Sequence, residues 1–406
     1  MAVGHNPFPQ LPPISGCRLS ALSAGIRYQG RDDLLVVELC EGSVSAGCFT
    51  TNIFQAAPVV VAKEHLKEAS PRYLLVNSGN ANACTGDIGL SDAVESCADL
   101  ARIGEVETNQ VLPFSTGVIG ERMNIEALKT ALPQAMSSLS DDGWEHAARA
   151  IMTTDTFPKG VSRSVDIDGT KVTINGIAKG SGMIRPDMAT MLAYIVTDAA
   201  VSQDVLQQIC SMAVSQSFNR ITVDGDTSTN DACMLVSTGT AGNRLIQSLD
   251  ETHIEDFLQA TAEVFVELAK LLVRDGEGAT KLVTVSVAGG ASENDCIEIA
   301  YVVAQSPLVK TALYASDPNW GRIVAAIGRA DVDGLDAKNI KMWLDELLVV
   351  EEGGVASSYN EALGQAVLNK DELELRIDIG MGSYMESIWT CDLSHDYVSI
   401  NADYRS

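Results

Sequence analysis

The stretch that most constrains this chain is Lys179-Gly180-Ser181-Gly182-Met183-Ile184-Arg185-Pro186-Asp187-Met188-Ala189-Thr190-Met191-Leu192-Ala193-Tyr194-Ile195-Val196-Thr197-Asp198. Two glycines free the backbone, a proline pins it, and at Thr190 the composition turns into the apolar run Met191 to Val196. A run of that length bounded by turn residues reads as a buried strand. A hydroxyl at the mouth of such a strand is aimed by a rigid element toward a loop-lined space. Threonine is common in strands, so its position alone does not make it a nucleophile. Chemistry at a new chain terminus does. If the bond between Ala189 and Thr190 is cut, hydroxyl and α-amine share one residue, and an amine titrating at about 7.7 to 8.0 can take the hydroxyl proton.

A chain of 406 residues exceeds the size at which single cores stop growing, roughly 250 to 300 residues, so two domains or lobes are expected. Hydrophobic content of 46% with 20% charged residues fits a globular enzyme, and no apolar run approaches the ~20 residues of a membrane span. Met1 to Pro13 has no basic segment followed by an apolar core, so no secretion signal is expected and the cytoplasm is the expected compartment. A net charge of -26 argues against nucleic acid and membrane partners, while a lysine-bearing pocket can still take a small anionic substrate. Nine cysteines without a C-x-x-C pair disfavour a zinc site and a disulfide framework, and no metal is expected. The five histidines lie outside the Gly-rich motifs, where a Ser-His-Asp or Cys-His enzyme would need one and a terminal threonine needs none.

Along the chain, 34–39, 58–62 and 74–76 read as strands, and Asn77 to Asn82 as turns. Helical spacing is expected from Asp92 to about Ile103, from Ile125 to Leu139, from Gly143 to Met152, from Ser202 to Gln216 and from Ile254 to Val273. Asp168-Gly169 between two short strands signals a hairpin. Two patterns fail on inspection. In Asp224 to Asp231 the glutamate that a calcium loop needs would fall at Leu235, and Gly380-Met381-Gly382 lacks the third glycine of a dinucleotide site.

The Lys179–Asp198 stretch resembles the self-cleavage and nucleophile motif of the glutamate N-acetyltransferase (ornithine acetyltransferase) family. The similarity extends through Gly47-Cys48-Phe49-Thr50-Thr51-Asn52, Asn77-Ser78-Gly79-Asn80-Ala81-Asn82-Ala83, Ser115-Thr116-Gly117-Val118-Ile119-Gly120, Met152-Thr153-Thr154-Asp155-Thr156, Asp275-Gly276-Glu277-Gly278-Ala279-Thr280-Lys281, Asp317-Pro318-Asn319-Trp320-Gly321-Arg322 and Tyr397-Val398-Ser399-Ile400-Asn401-Ala402-Asp403-Tyr404. Motifs in that order and number are far more specific than any one of them.

The resemblance implies an α/β fold: a layered sandwich of two similar lobes with a self-processing, N-terminal-nucleophile-like architecture. It implies scission between Ala189 and Thr190 into a 1–189 part and a 190–406 part, assembled as two of each. Thr190 would be the nucleophile, and the Thr116 hydroxyl and Gly117 N–H the oxyanion hole. Thr153, Lys179, Glu277, Asn401 and Ser406 would contact substrate together with Thr190. The implied reaction moves the acetyl group of N-acetylornithine to glutamate through an acetyl-threonine, with no cofactor; whether acetyl-CoA also serves as a donor is left open by the sequence. The rival is an amidohydrolase or aminopeptidase of related architecture that passes the acyl group to water, although those relatives usually carry a serine nucleophile. A non-catalytic small-molecule-binding protein would keep an intact chain. Arg185 and Asp187 put opposite charges just ahead of the scissile bond, where less charge is expected. They could pair, or they could slow self-cleavage.

Overall fold

A computed structural model describes residues 3–4, 7–185 and 191–403. They fall into two compact units, one of Pro7–Asn219 and Asp226–Leu272, the other of Met1–Asn6, Arg220–Gly225 and Val273–Ser406. Both units are mixed α/β. The packing division does not coincide with a chain division at 189/190, because sequence on both sides of that bond belongs to the larger unit.

The strands of the larger unit are β1 (Cys17–Leu22), β2 (Leu34–Leu39), β3 (Val44–Phe49), β4 (Tyr73–Asn80), β5 (Val111–Val118), β6 (Lys159–Ile167), β7 (Thr170–Lys179), β8 (Leu192–Thr197) and, past the two-residue β9 (Ile221–Thr222) of the smaller unit, β10 (Ala232–Ser237). They form a four-stranded sheet ordered β1-β2-β4-β5 and a five-stranded sheet ordered β3-β10-β8-β7-β6. Facing side chains make one core, Leu35, Val37, Val76 and Phe114 from the first sheet with Ile177, Tyr194, Val196 and Met234 from the second. The Phe114 and Tyr194 rings meet edge to face at 5.4 Å.

Helices cover the outer faces. On the first sheet, α2 (Gly86–Gly104) and α3 (Ile125–Ser137), which follow α1 (Ala57–Glu68) in the chain, bring Cys97, Leu100, Leu128 and Leu132 against Leu34, Val36 and Val111. Helix α4 (Trp144–Ala150) contributes Trp144 to the core between the sheets. On the second sheet, α5 (Gln203–Gln216) packs on β3 and β10. Val264 and Leu268 of α6 (Glu255–Arg274) press on Gly176 so closely that no side chain fits there. All six residues of β8 are buried. Each apolar side chain so buried stabilises by about 1.5 to 3 kcal/mol, which makes the strand after Thr190 a rigid platform.

Local differences from the sequence reading have physical causes. Residues 58–62 belong to helix α1 and not to a strand. Pro58 fits the first helical turn, and Pro58, Val59, Val61 and Ala62 form its buried side, so packing overrides the β-branched preference. Residues 77–80 are not turn but the end of β4, paired to β5 with a register shift at Gly79 and Asn80. Helix α2 begins at Gly86, ahead of Asp92. The hairpin turns at Asp168 and Gly169, with φ of 51° and 82°, but its strands run longer than expected.

The smaller unit has one seven-stranded sheet, in which β11 (Leu282–Gly290), β12 (Lys341–Leu344), β13 (Leu347–Glu351), β14 (Gly354–Val355), β15 (Glu372–Asp378) and β16 (Tyr384–Cys391) join β9 in the order β14-β13-β12-β15-β11-β16-β9. Helices α7 (Glu293–Ala304), α8 (Pro307–Tyr314), α9 (Trp320–Ile327) and α10 (Glu361–Leu368) supply Ile299, Leu313, Ile323 and Leu368 to its core, and α11 (His395–Ala402) follows. Among the described residues no single helix is long and apolar enough to cross a membrane.

Candidate functional site

In the larger unit the sheet edges bring three of the expected residues together. Thr116 stands near the end of β5 and is 8% exposed. Gly117 follows with φ of 137°, in the region that favours glycine. A side chain at Gly117 would overlap the backbone of Gly79 and Asn80. The motif glycine is thus required by the close approach of β4 and β5.

Lys179, the last residue of β7, is buried and donates from Nζ to Thr116 Oγ1 at 3.2 Å. An ammonium only donates, so the Thr116 oxygen is the acceptor and its own hydrogen remains available to another oxygen. A cation, a hydroxyl hydrogen and the backbone N–H after it are the elements from which an oxyanion site is made.

Behind Lys179 lies Asp155. Its Oδ1 accepts from Lys159 Nζ and from the Gly180 amide, both at 2.7 Å, and its Oδ2 accepts from the Thr153 amide at 2.9 Å. Burial works against the Asp155 charge, but the Lys159 and Lys179 ammonium groups overcome it and hold the carboxyl well below the usual carboxylate range. Thr154 Oγ1 lies 2.7 Å from Ser181 Oγ, so the first turn of the Gly-rich loop is tied to the 153–155 segment. Lys179 and Thr153 are therefore joined through one buried carboxylate.

Two groups to which the sequence reading assigns no role complete this region. Asn230 Nδ2 donates to the carbonyls of Ala81 at 2.6 Å and Ser115 at 2.9 Å, fastening the Asn-rich segment to β5. Asp231 is 1% exposed, beside the start of β8. Both lie in the polar stretch 224–231, whose density of acidic and small residues is visible in the sequence but matches no metal loop.

In the smaller unit Asn401 Nδ2, on α11, donates to Glu277 Oε2 at 2.7 Å. Glu277 is 7% exposed. The glycine after it has φ of 70°, and a side chain there would strike Ser394 and the Tyr397 amide at the start of α11. Ala189 and Thr190, with Asp187 ahead of them, and Ser406 lie outside the described residues.

Fold and site together define a mixed α/β protein in which a buried ammonium and a buried hydroxyl meet at the ends of β5 and β7, next to a glycine whose φ and close packing exclude a side chain. The chain belongs to the ArgJ family, whose model matches residues 18–406. It is 52% identical to the arginine biosynthesis bifunctional protein ArgJ of Psychrobacter arcticus and 52% identical to that of Pseudomonas fluorescens, in each case over 100% of both chains. The crystal structure of the arginine biosynthesis bifunctional protein argJ from Bacillus halodurans is 36% identical and matches with a TM-score of 0.51, covering 52% of this chain and 99% of that one.

Proposed function

We propose that this protein is an acyltransferase of arginine biosynthesis that moves the acetyl group of N-acetylornithine to glutamate, acting in the cytoplasm. The observation that carries the proposal is end-to-end identity of 52% to bifunctional arginine biosynthesis proteins, in a chain whose Lys179 Nζ reaches Thr116 Oγ1 beside Gly117.

The chemistry proceeds as follows. Scission between Ala189 and Thr190 gives Thr190 a free α-amine. That amine takes the hydroxyl proton as Oγ attacks the acetyl carbonyl of acetylornithine. The carbonyl oxygen becomes negative and is received by the Thr116 hydroxyl and the Gly117 N–H, with the Lys179 charge behind them. One such donor is worth about 2.7 to 4 kcal/mol in the transition state. The C–N bond breaks, the proton passes to the departing ornithine nitrogen, and acetyl-Thr190 remains. The glutamate amine then attacks that ester, and the proton it loses returns to Oγ as the C–O bond breaks. Exchange of one amine for another on a covalent intermediate predicts ping-pong kinetics.

Both substrates carry an α-carboxylate and an α-nitrogen. Lys179 and Thr153 supply donors suited to the carboxylate. The Glu277–Asn401 pair supplies a carboxylate suited to an ammonium, and Ser406 a further hydroxyl contact. No cofactor enters the scheme, acetyl-CoA serves as the second acetyl donor, and the working assembly holds two copies of each processed chain.

The test combines an intact mass spectrum with an assay of acetylornithine in the presence and absence of glutamate. Two polypeptides corresponding to 1–189 and 190–406, with ornithine released in repeated turnovers only when glutamate is present and limited to about one equivalent per site without it, are the expected result. Acetate release independent of glutamate would make the protein a hydrolase, and a single uncut active chain would remove Thr190 from the mechanism.

A further inference from the structure

The segment 47–52 has no part in the mechanism above, yet its Cys48 belongs to a cluster of three thiols. Cys48 is on β3, Cys210 on α5 and Cys233 on β10. Cys48 and Cys233 are opposite partners in the antiparallel register of their strands, and the Cys48 and Cys210 sulfurs stand 3.9 Å apart. Cys210 in turn hydrogen-bonds the Cys233 thiol.

Side chains of α5 hold this approach in place. Gln203 Nε2 donates to the Ser45 carbonyl at 2.8 Å, and the Gln207 amide accepts from the Gly47 N–H at 3.2 Å and donates to the Gly47 carbonyl at 3.3 Å. Strand β3 stands at the edge of the five-stranded sheet, so these bonds satisfy edge backbone groups. Gln207 and Cys210 are three residues apart on one helix face, and the bonds to Gly47 therefore set the Cys210 thiol against Cys48.

Exposure divides the three thiols. Cys210 and Cys233 are fully buried, whereas Cys48 is half-buried and is the member that a small oxidant reaches. The hydrogen bond with Cys210, followed by burial, pushes the Cys48 thiol above its ordinary range, and the bond with Cys233 does the same for Cys210. Since the thiolate is the nucleophile, the pair stays reduced until oxidant is in excess.

We propose that Cys48 and Cys210 form an oxidation site, at which a peroxide closes a disulfide between β3 and α5. The steps balance. Cys48 Sγ attacks one peroxide oxygen: the S–O bond forms, the O–O bond breaks, and the departing hydroxide takes the thiol proton and leaves as water. Cys210 Sγ then attacks the Cys48 sulfur: the S–S bond forms, the S–O bond breaks, and the second hydroxide leaves as water with the Cys210 proton. The two thiols lose two electrons, and the peroxide gains them. Closing from 3.9 Å to an S–S bond of about 2.05 Å asks only for rotation of the two side chains. Disulfides of this kind in a reducing compartment are transient and redox-sensing. The two residues are 162 positions apart, on opposite sides of the 189/190 bond, so in a cut chain the disulfide joins the two polypeptides. That consequence rests on the self-processing reading given above; the disulfide itself does not.

The experiment treats the purified full-length protein with excess hydrogen peroxide, removes the oxidant with catalase, and blocks free thiols in denaturant. Peptides are then mapped with and without reductant, beside a non-reducing gel. A peptide joining Cys48 to Cys210, lost on reduction, is expected in wild type and in Cys233→Ala and absent from Cys48→Ser and Cys210→Ala. In Cys210→Ala, Cys48 is expected to gain oxygen atoms instead, because the thiol that resolves its sulfenic acid is gone. A Cys210–Cys233 disulfide in wild type, a Cys48 that gains oxygen there while Cys210 stays free, or unmodified thiols overturn the proposal. On the gel, the 1–189 and 190–406 polypeptides should run together without reductant and separately with it. A reduced control that remains one chain removes the self-processing reading and leaves the linked peptide to decide this inference. Cut polypeptides that separate without reductant after oxidation remove this inference alone.

Discussion

The two units bury polar groups in different ways. In the smaller unit, Asp392 accepts from the amides of Thr280 and Lys281 and from the Thr280 hydroxyl, and Lys310 donates to Thr390 and to the Cys391 carbonyl. Among the described residues, its one buried side-chain atom without a partner is Gln305 Nε2. The larger unit leaves several unmet, including Ser78 Oγ and Asp231 Oδ2, close to the ends of the strands that carry Thr116 and precede Lys179's loop. Ser78 pairs in register with Thr116 itself. A fold tolerates unmet polar atoms at a cost, and the others of the larger unit, Ser20 Oγ and Trp144 Nε1 among them, are spread through it, so the contrast between the units is one of number. The polar pairs of the smaller unit, Glu277–Asn401 included, are satisfied and suit recognition.

That contrast is open to direct attack, from the largest expected effect downward. Thr190→Ala should give one uncut chain and transfer at background level; appreciable turnover would end the assignment of chemistry to the larger unit. Gly117→Ala has to displace the β4 backbone. It should cut kcat by about 10²- to 10³-fold, and an unchanged kcat would return Thr116 and Gly117 to a purely structural role.

Asp155→Asn leaves Lys159 buried without its counter-charge, since both side chains are 0% exposed, and should destabilise by roughly 3 to 5 kcal/mol in denaturant unfolding. Because the Asp155 carboxyl is held below its ordinary range, its contribution is full above the unfolded value of about 3.9 and is lost as pH falls further, through the folded value. Acid unfolding of wild type should therefore show a component that Asp155→Asn lacks.

In the smaller unit, Glu277→Gln should act on KM more than on kcat, by about tenfold, as loss of one charged contact implies. A drop in kcat with unchanged KM would erase the distinction between the units. Lys370→Ala breaks a surface pair with Asp345, whose Nζ–Oδ2 distance is 2.5 Å, and should cost less than about 1 kcal/mol while leaving both kinetic constants alone.

How far the order of residues reveals an element depends on how local its cause is. β8, α5 and α6 are legible because their apolar periodicity and turn boundaries are properties of neighbouring residues. The hairpin at Asp168-Gly169 is legible because left-handed backbone at two successive positions selects those residue types. Helix α1 reads as a strand because Val59, Val60 and Val61 favour strands locally, and only the surface that covers Val59 and Val61 makes them helical. Residues 77–80 read as turn because nothing local reveals that Asn77 and Asn80 spend their side-chain bonds on the strand's own end and on the Glu121 carbonyl.

The same division holds for the site. By itself the sequence determined that a threonine follows a Gly-rich loop and opens a buried strand, that Gly117 has no side chain, and in which family the motifs recur. Only the tertiary structure decided that Lys179 reaches Thr116, that Asp155 joins Lys179 to Thr153, and that Asp231 sits beside Met191 with an oxygen unmet. The physical reason is distance along the chain. Lys179 and Thr116 are 63 residues apart, and no local preference encodes a contact that depends on two sheets packing face to face.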